Sequence, residues 1–313
     1  MAGERSGYGY HFPHFEHITD SFSQGNEGVI GFRGEKGEIV RIEHRPVLVE
    51  GLKKITKLAC GSNHILALAS NGAVYAWGSG QQHQLGRRTV ERTKHNALTP
   101  REFGLPKGTI DIGAGSYHSF AVNKNGKVYA WGLNSYGETG VTQGAGEDKA
   151  VILHPTSIDS LEGKGRITCI EGGAHHSVAV TEAGYCLVWG RIDGCQSGLD
   201  INELPEEHLI RDSKNNPRIL TVPTRVPGFE AVYATAGSDH CIAISKDGKA
   251  YSWGFSQTYQ TGQGQDDEVE IARQIDNTAV RGKHLVWAGA GGQFSAVAGL
   301  ADDGELVNGI NGH

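Results

Sequence analysis

Histidine is the residue type with the most chemistry to offer in this sequence, and its placement is regular. His64, His118, His176 and His240 each stand three residues after a glycine. An imidazole can move a proton, ligate a metal or hold a hydrogen bond near neutral pH. A metal site needs further ligands, and the five cysteines, Cys60, Cys169, Cys186, Cys195 and Cys241, contain no C-x-x-C pair. His11, His14 and His17 are three apart, but no cysteine or carboxylate completes a set, and that segment reads as an irregular arm. Gly78 and Gly80 follow a strand pattern without the third glycine or the helix start that cradles a dinucleotide phosphate. No Ser/His/Asp set stands out. No metal and no cofactor is expected. The remaining chemistry lies in Arg87, Arg88, Arg92, Lys94 and His95, a short basic loop suited to paired contacts with carboxylates.

The histidines belong to a longer frame. Segments starting at Gly61, Gly115, Gly173 and Gly237 carry His at +3, Gly at +11, Trp-Gly at +16 and +17, and Gly at +25. Five landmarks held in register four times are an internal repeat. Within a copy, His64–Ala69 and Ala73–Trp77 read as strands joined by a tight turn at Asn71-Gly72. Further strands are expected over Ile55–Ala59, Ile110–Ala114, Ile167–Glu171 and Ala231–Ala236, giving three or four strands per unit. One such sheet cannot bury its own faces, so copies must pack on one another. The starts lie 54, 58 and 64 residues apart, which suits propeller blades with inserted loops. Those inserts, 141–166, 199–227 and 263–284, read as polar surface loops. The four repeat tryptophans are expected in the core, and each repeat histidine as a structural hydrogen-bonding residue before a functional one. A fifth copy opens at Gly291 with Phe294 in place of His.

Composition narrows the class. The chain has 313 residues, 46 of them glycine at turn positions, and 38% hydrophobic residues. Its net charge of −6 argues against a broad nucleic-acid footprint. No apolar run reaches the roughly 18 residues of a membrane span, and the N-terminus has no signal-peptide core. The cysteines read as reduced, buried thiols of an intracellular protein.

The frame G-x-x-H…G…WG…LG resembles the repeat of the regulator of chromosome condensation family. The stretches GSGQQHQLGRR, WGLNSYGETG, GGAHHSVAV, YSWGFSQTYQTG and GGQFS are similar to those of its fungal members, the nuclear exchange factors for the GTPase Ran. The resemblance runs from about Gly28 to Leu300. It implies an all-β fold, a β-propeller that is seven-bladed in the family and here has about four full and two partial blades. The family's first two blades and its basic nuclear-targeting tail find no counterpart, which reads as a truncated chain or a fragment. It implies an arm over 1–27, repeats over 28–300 and a tail over 301–313.

The same resemblance implies guanine-nucleotide exchange on Ran, with no covalent chemistry, in the nucleus and possibly also the cytoplasm. The family's wedge hairpin matches Phe22–Ile30, including Phe22, Gln24, Asn26 and Glu27. An exchange histidine matches His176 and a Ran-contacting arginine matches Arg87. Asn63 stands where the family has Asp. Arg87, Arg88, Arg92 and Lys94 match a loop that docks on the histone H2A–H2B pair of the nucleosome. Two other readings stay open, a propeller scaffold without exchange activity and a propeller enzyme needing converging carboxylates.

Overall fold

The computed structural model describes residues 20–21, 47–90, 92 and 96–300. A short pair, β1 (Asp20–Ser21) with β2 (Val47–Leu48), precedes the repeats. Four complete antiparallel blades follow. The first is β3 (Ile55–Cys60), β4 (His64–Ala69), β5 (Val74–Gly78) and β6 (Arg101–Glu102); the second is β7 (Thr109–Ala114), β8 (His118–Asn123), β9 (Val128–Leu133) and β10 (Val151–Ser157). The third holds β11 (Ile167–Gly172), β12 (His176–Thr181), β13 (Cys186–Arg191), β14 (Leu209–Arg211) and β15 (Pro217–Val226), with β15 lying between β13 and β14. The fourth is β16 (Ala231–Ala236), β17 (His240–Ser245), β18 (Ala250–Gly254) and β19 (Val269–Gln274), and a two-stranded sheet of β20 (Leu285–Ala290) and β21 (Ser295–Gly299) completes the set. Four full and two partial sheets are the count the repeat frame predicts.

The landmark residues have physical reasons. A Cβ on Gly61 would lie 2.2 Å from His64 Cε1, so the opening glycine leaves room for the imidazole. Gly78, in Trp-Gly, has φ 108° and a Cβ there would meet the Asn63 carbonyl at 2.4 Å. Trp77, Trp131, Trp189 and Trp253 are all buried, as expected. The apolar core is divided among the blade junctions. Leu66, Leu85, Ile112 and Trp131 pack between the first two blades. Phe120, Ile170, Ala179 and Trp189 fill the next junction, and Val178, Cys186, Cys241 and Trp253 the one after. Ile242, Ile244, Leu285 and Ala288 close the last.

The opening glycines converge on the propeller axis. Backbone bonds step from copy to copy there: Ser62 N to Ser116 O at 3.2 Å, Ser116 N to Gly173 O at 2.9 Å, Ala174 N to Ser238 O at 2.9 Å, Ser238 N to Gly291 O at 3.0 Å.

Three expectations change. The inserts are more than loops, because each carries the blade's outer strand: β10, β15 with β14, and β19. The strand in the first of them is interrupted by Pro155 and its register shifts between Ile152 and Thr156, so it lacks a clean alternation. Of the free cysteines, Cys169, Cys186 and Cys241 are buried, but Cys195 is half-buried and Cys60 is exposed. The arm is not wholly irregular, since Asp20–Ser21 pairs with Val47–Leu48. His11, His14, His17, the hairpin Phe22–Ile30, Lys94 and the tail 301–313 lie outside the described residues.

Candidate functional face at the histidine end of the blades

Position at the blade end decides which repeat residues are exposed, because the +3 residues open the buried second strands and the +2 residues lie in the turn before them. The +3 histidines His64, His118, His176 and His240 are all buried, while the +2 residues Asn63, Tyr117, His175 and Asp239 are all partly exposed. His64 Nε2 meets Ser119 Oγ at 2.8 Å, and that hydroxyl donates to the Gln84 carbonyl at 2.9 Å. His118 meets Ser177 at 2.9 Å, with Ser177 donating to the Glu138 carbonyl at 2.8 Å, and His240 meets Ser295 at 2.8 Å. His176 meets the Cys241 thiol at 3.2 Å. Each repeat histidine is thus a latch onto the following blade. Because the serine hydroxyl is spent on a carbonyl, His64, His118 and His240 must donate from Nε2. Burial pushes the imidazoles down, to about 3 at His64 and about 4 at His176 and His240. His176 is therefore out of a partner's direct reach, and its neighbour His175 is the partly exposed member of the doublet.

His175 stands in a cluster spanning three blades. The turn residue before it in space, Glu138, is fully buried and accepts from Tyr136 N at 2.7 Å through Oε2, while its Oε1 lies 3.3 Å from His175 Nδ1. Gln84, Gln196 and Gln260 occupy the same turn position and accept the corresponding backbone N–H, each at 2.9 Å. The next junction swaps the polarity: Gln196 Nε2 donates to Asp239 Oδ1 at 3.0 Å. The Tyr136 ring lies 4.7 Å from the His175 ring, and its hydroxyl accepts from Arg218 Nη2 at 2.7 Å. Arg218 and Arg191 flank that ring at 4.7 Å and 5.4 Å, and Asp193 pairs with both guanidinium groups. This arrangement has donors, acceptors and an aromatic face but no activated nucleophile. No cluster of three or more metal-ligating side chains occurs among the described residues. The donors, acceptors and aromatic face suit non-covalent contact with a partner's polar groups.

Sequence reasoning passed over this cluster. Two signals for it were in view, the histidine doublet at 175–176 and a lone Glu138 where three copies have Gln. The basic loop is also rearranged. Arg87 is half-buried, with Nη1 donating to the Ala76 carbonyl at 3.0 Å and to the Arg101 carbonyl at 3.5 Å. Burial, and then Arg101, push its guanidinium down to about 10. Arg88 and Arg92 are exposed, and Asn63 sits at the rim with its carbonyl accepting from Ser79 N at 2.6 Å.

The RCC1-like domain model matches residues 21–297. The chain belongs to the RCC1-like domain family. This RCC1-like chain is 44% identical to the protein pim1 of Schizosaccharomyces pombe over 83% of its length, covering 48% of pim1. It is 38% identical to the guanine nucleotide exchange factor SRM1 of Saccharomyces cerevisiae over 88% of its length, covering 56% of SRM1. The chain thus spans about half the length of the curated relatives it matches. Among solved structures, Prp20p from Saccharomyces cerevisiae, described with its binding properties to Gsp1p and histones, matches at a TM-score of 0.81 and 36% identity. That match covers 90% of this chain and 64% of Prp20p.

Proposed function

We propose that this RCC1-like chain is a guanine-nucleotide exchange factor for the small GTPase Ran, working in the nucleus. The observation that carries it is the match to Prp20p over 90% of the chain, a protein described as binding Gsp1p and histones. Exchange makes and breaks no covalent bond. The factor would bind nucleotide-free Ran more tightly than nucleotide-bound Ran and so shift it toward release. His175, Tyr136, Arg191 and Arg218 supply the contact surface, with Asn63 and the Phe22, Gln24, Asn26 and Glu27 segment as further contacts. His176 acts as a positioning residue by seating the strand that carries His175. Arg87 shapes the neighbouring loop.

His175→Ala is expected to slow Ran-GDP release at saturating factor about tenfold, or about 1.4 kcal/mol of barrier, with the urea midpoint lowered only by the loss of its Glu138 contact. His176→Ala should lower the urea midpoint instead. Stopped-flow release of a fluorescent GDP separates the two. Full activity in folded His175→Ala would discard the contact role, and no stimulation by the parent chain would discard exchange itself.

A second reading, chromatin docking, is favoured by the exposure of Arg88 and Arg92. Arg88→Glu with Arg92→Glu should weaken nucleosome binding at low salt by about tenfold, and by less at high salt, where exposed charges are screened. An unchanged Kd at low salt removes these residues from any histone contact.

A further inference from the structure

At the end of the blades away from the repeat histidines, each hairpin turn meets the segment that opens the next blade. At three of the four junctions described the hairpin glycine is covered. A Cβ on Gly72 would lie 3.1 Å from the Thr109 carbonyl, one on Gly184 would lie 3.1 Å from Glu230 Cβ, and one on Gly248 would strike the His284 ring. At Gly126 nothing lies within 4 Å. The space beside it is a cleft of about 610 Å³ between the turn 124–127 of the second blade and the segment 162–166 that opens the third. Buried Val128, Ile158 and Leu161 form its floor. Lys124, Lys127 and Arg166 stand exposed on its two sides, and Glu162 is the one carboxylate that lines it.

The fourth blade has the matching cleft, of about 440 Å³, and neutralises its cations. Lys249 pairs with Asp247 at 2.9 Å, Arg281 with Asp276 at 2.8 Å, and the neighbouring Lys246 with Glu230 at 3.8 Å. The second blade lacks these partners in its sequence. Asn125 stands in the place of Asp247, with its side-chain oxygen accepting from Lys127 N at 3.0 Å. Gly108 stands in the place of Glu230, since Lys124 N donates to the Gly108 carbonyl as Lys246 N does to that of Glu230, both at 2.8 Å. Lys124, Lys127 and Arg166 therefore form no ion pair among the described residues. Lys107, whose carbonyl accepts from Asn123 Nδ2 at 2.9 Å, adds a further exposed cation on the side of the first blade.

We propose that this cleft binds a short acidic segment of another protein in which carboxylates flank an apolar side chain. The apolar side chain rests on the floor of Val128, Ile158 and Leu161. The carboxylates face the two lysines on one side and the Arg166 guanidinium, which suits a paired contact, on the other. Charge complementarity of this kind sets the sign of the partner and speeds encounter. A phosphodiester strand brings no side chain to the floor, and continuing over the third blade it would meet Glu182 and Glu230, both exposed. The cleft lies at the opposite end of the strands from Asn63, His175 and Asp239, so a partner held there leaves the histidine face open and the proposal does not depend on exchange.

The test is the fluorescence anisotropy of a labelled Glu-Asp-Leu-Glu-Asp peptide titrated with the whole chain at low salt. Lys127→Gln with Arg166→Gln is expected to weaken binding by about tenfold. Lys249→Gln with Arg281→Gln makes the same charge change at the fourth blade and should leave the Kd within about twofold. Asn125→Asp alone should weaken binding by about threefold, by giving Lys127 the carboxylate that Lys249 already has. All five side chains are exposed, so the urea midpoints should hold. No binding, unchanged binding in Lys127→Gln with Arg166→Gln, or equal weakening by the two pairs overturns the proposal. A labelled single strand of DNA that binds more tightly than the peptide, and weakens with the same pair, also overturns it by assigning the cleft to phosphates.

Discussion

Between about pH 7 and about pH 5 the folded protein is expected to lose roughly 3 kcal/mol of stability per pH unit, measured as a falling urea midpoint. The cause is the set of four latch histidines. Burial holds His64 down to about 3, His176 and His240 to about 4, and His118 well below its ordinary value. A depressed histidine favours the folded state fully above its unfolded pKa of about 6.5. That contribution is lost as pH falls toward the folded value, because the unfolded chain takes up protons that the folded one refuses. Each histidine contributes a slope of about 1.4 kcal/mol per pH unit within the window. Glu171 opposes them. Burial pushes it up to about 7, so acidification between about 7 and its unfolded value favours the fold by the same slope. Burial raises Asp111 as well, and two carboxyls against four imidazoles still leave the histidines in control. A total stability of about 5–15 kcal/mol cannot absorb that loss for long. Equal midpoints at the two pH values would show that the imidazoles are hydrated in the folded state.

Removing Lys57 is expected to cost about 1–3 kcal/mol, between the values for exposed and buried ion pairs, because the cluster is half-buried, with 31% of the Lys57 side chain and 17% of that of Asp111 exposed. Lys57 projects from the first blade beside the axis, 2.7 Å from Asp111 on the second and 3.6 Å from Glu171 on the third. Burial alone would lower its pKa, but Asp111 and Glu171 outweigh it and hold the ammonium charged. Without the lysine two half-buried carboxylates face each other with no cation between them. Lys57→Met keeps most of the stem and should still destabilise, so the loss reads charge rather than packing. The penalty should shrink at about pH 5, where Glu171 takes a proton. Adding Glu171→Gln to Lys57→Met should recover part of it. A urea midpoint for Lys57→Met within about 0.5 kcal/mol of the parent would mean that the cluster is solvated.

How far the sequence reached depended on whether a feature was periodic. The strand Ala231–Ala236 was readable to the residue, and Ile55–Cys60 to within one, because apolar alternation and Trp-Gly repeat at fixed offsets. The outer strand Val151–Ser157 was not readable, since edge pairing tolerates Pro155 and a register shift. The Lys57 cluster joins residues 54 apart and more on three blades, and no local pattern marks it. In the doublet His175-His176 the resemblance pointed to the second residue. His176 opens the buried strand β12 and His175 lies in the turn before it, so a step of one moves from a buried latch to a partly exposed residue.

The junction between the third and fourth blades differs from its neighbours in a way that temperature would reveal. There the latch partner is the Cys241 thiol rather than a serine hydroxyl, so its polar link is the weak kind. Its apolar cluster is also the largest of the four. Hydrophobic stabilisation fades on cooling while hydrogen bonds do not. This junction is therefore expected to lose more stabilisation on cooling than the other three.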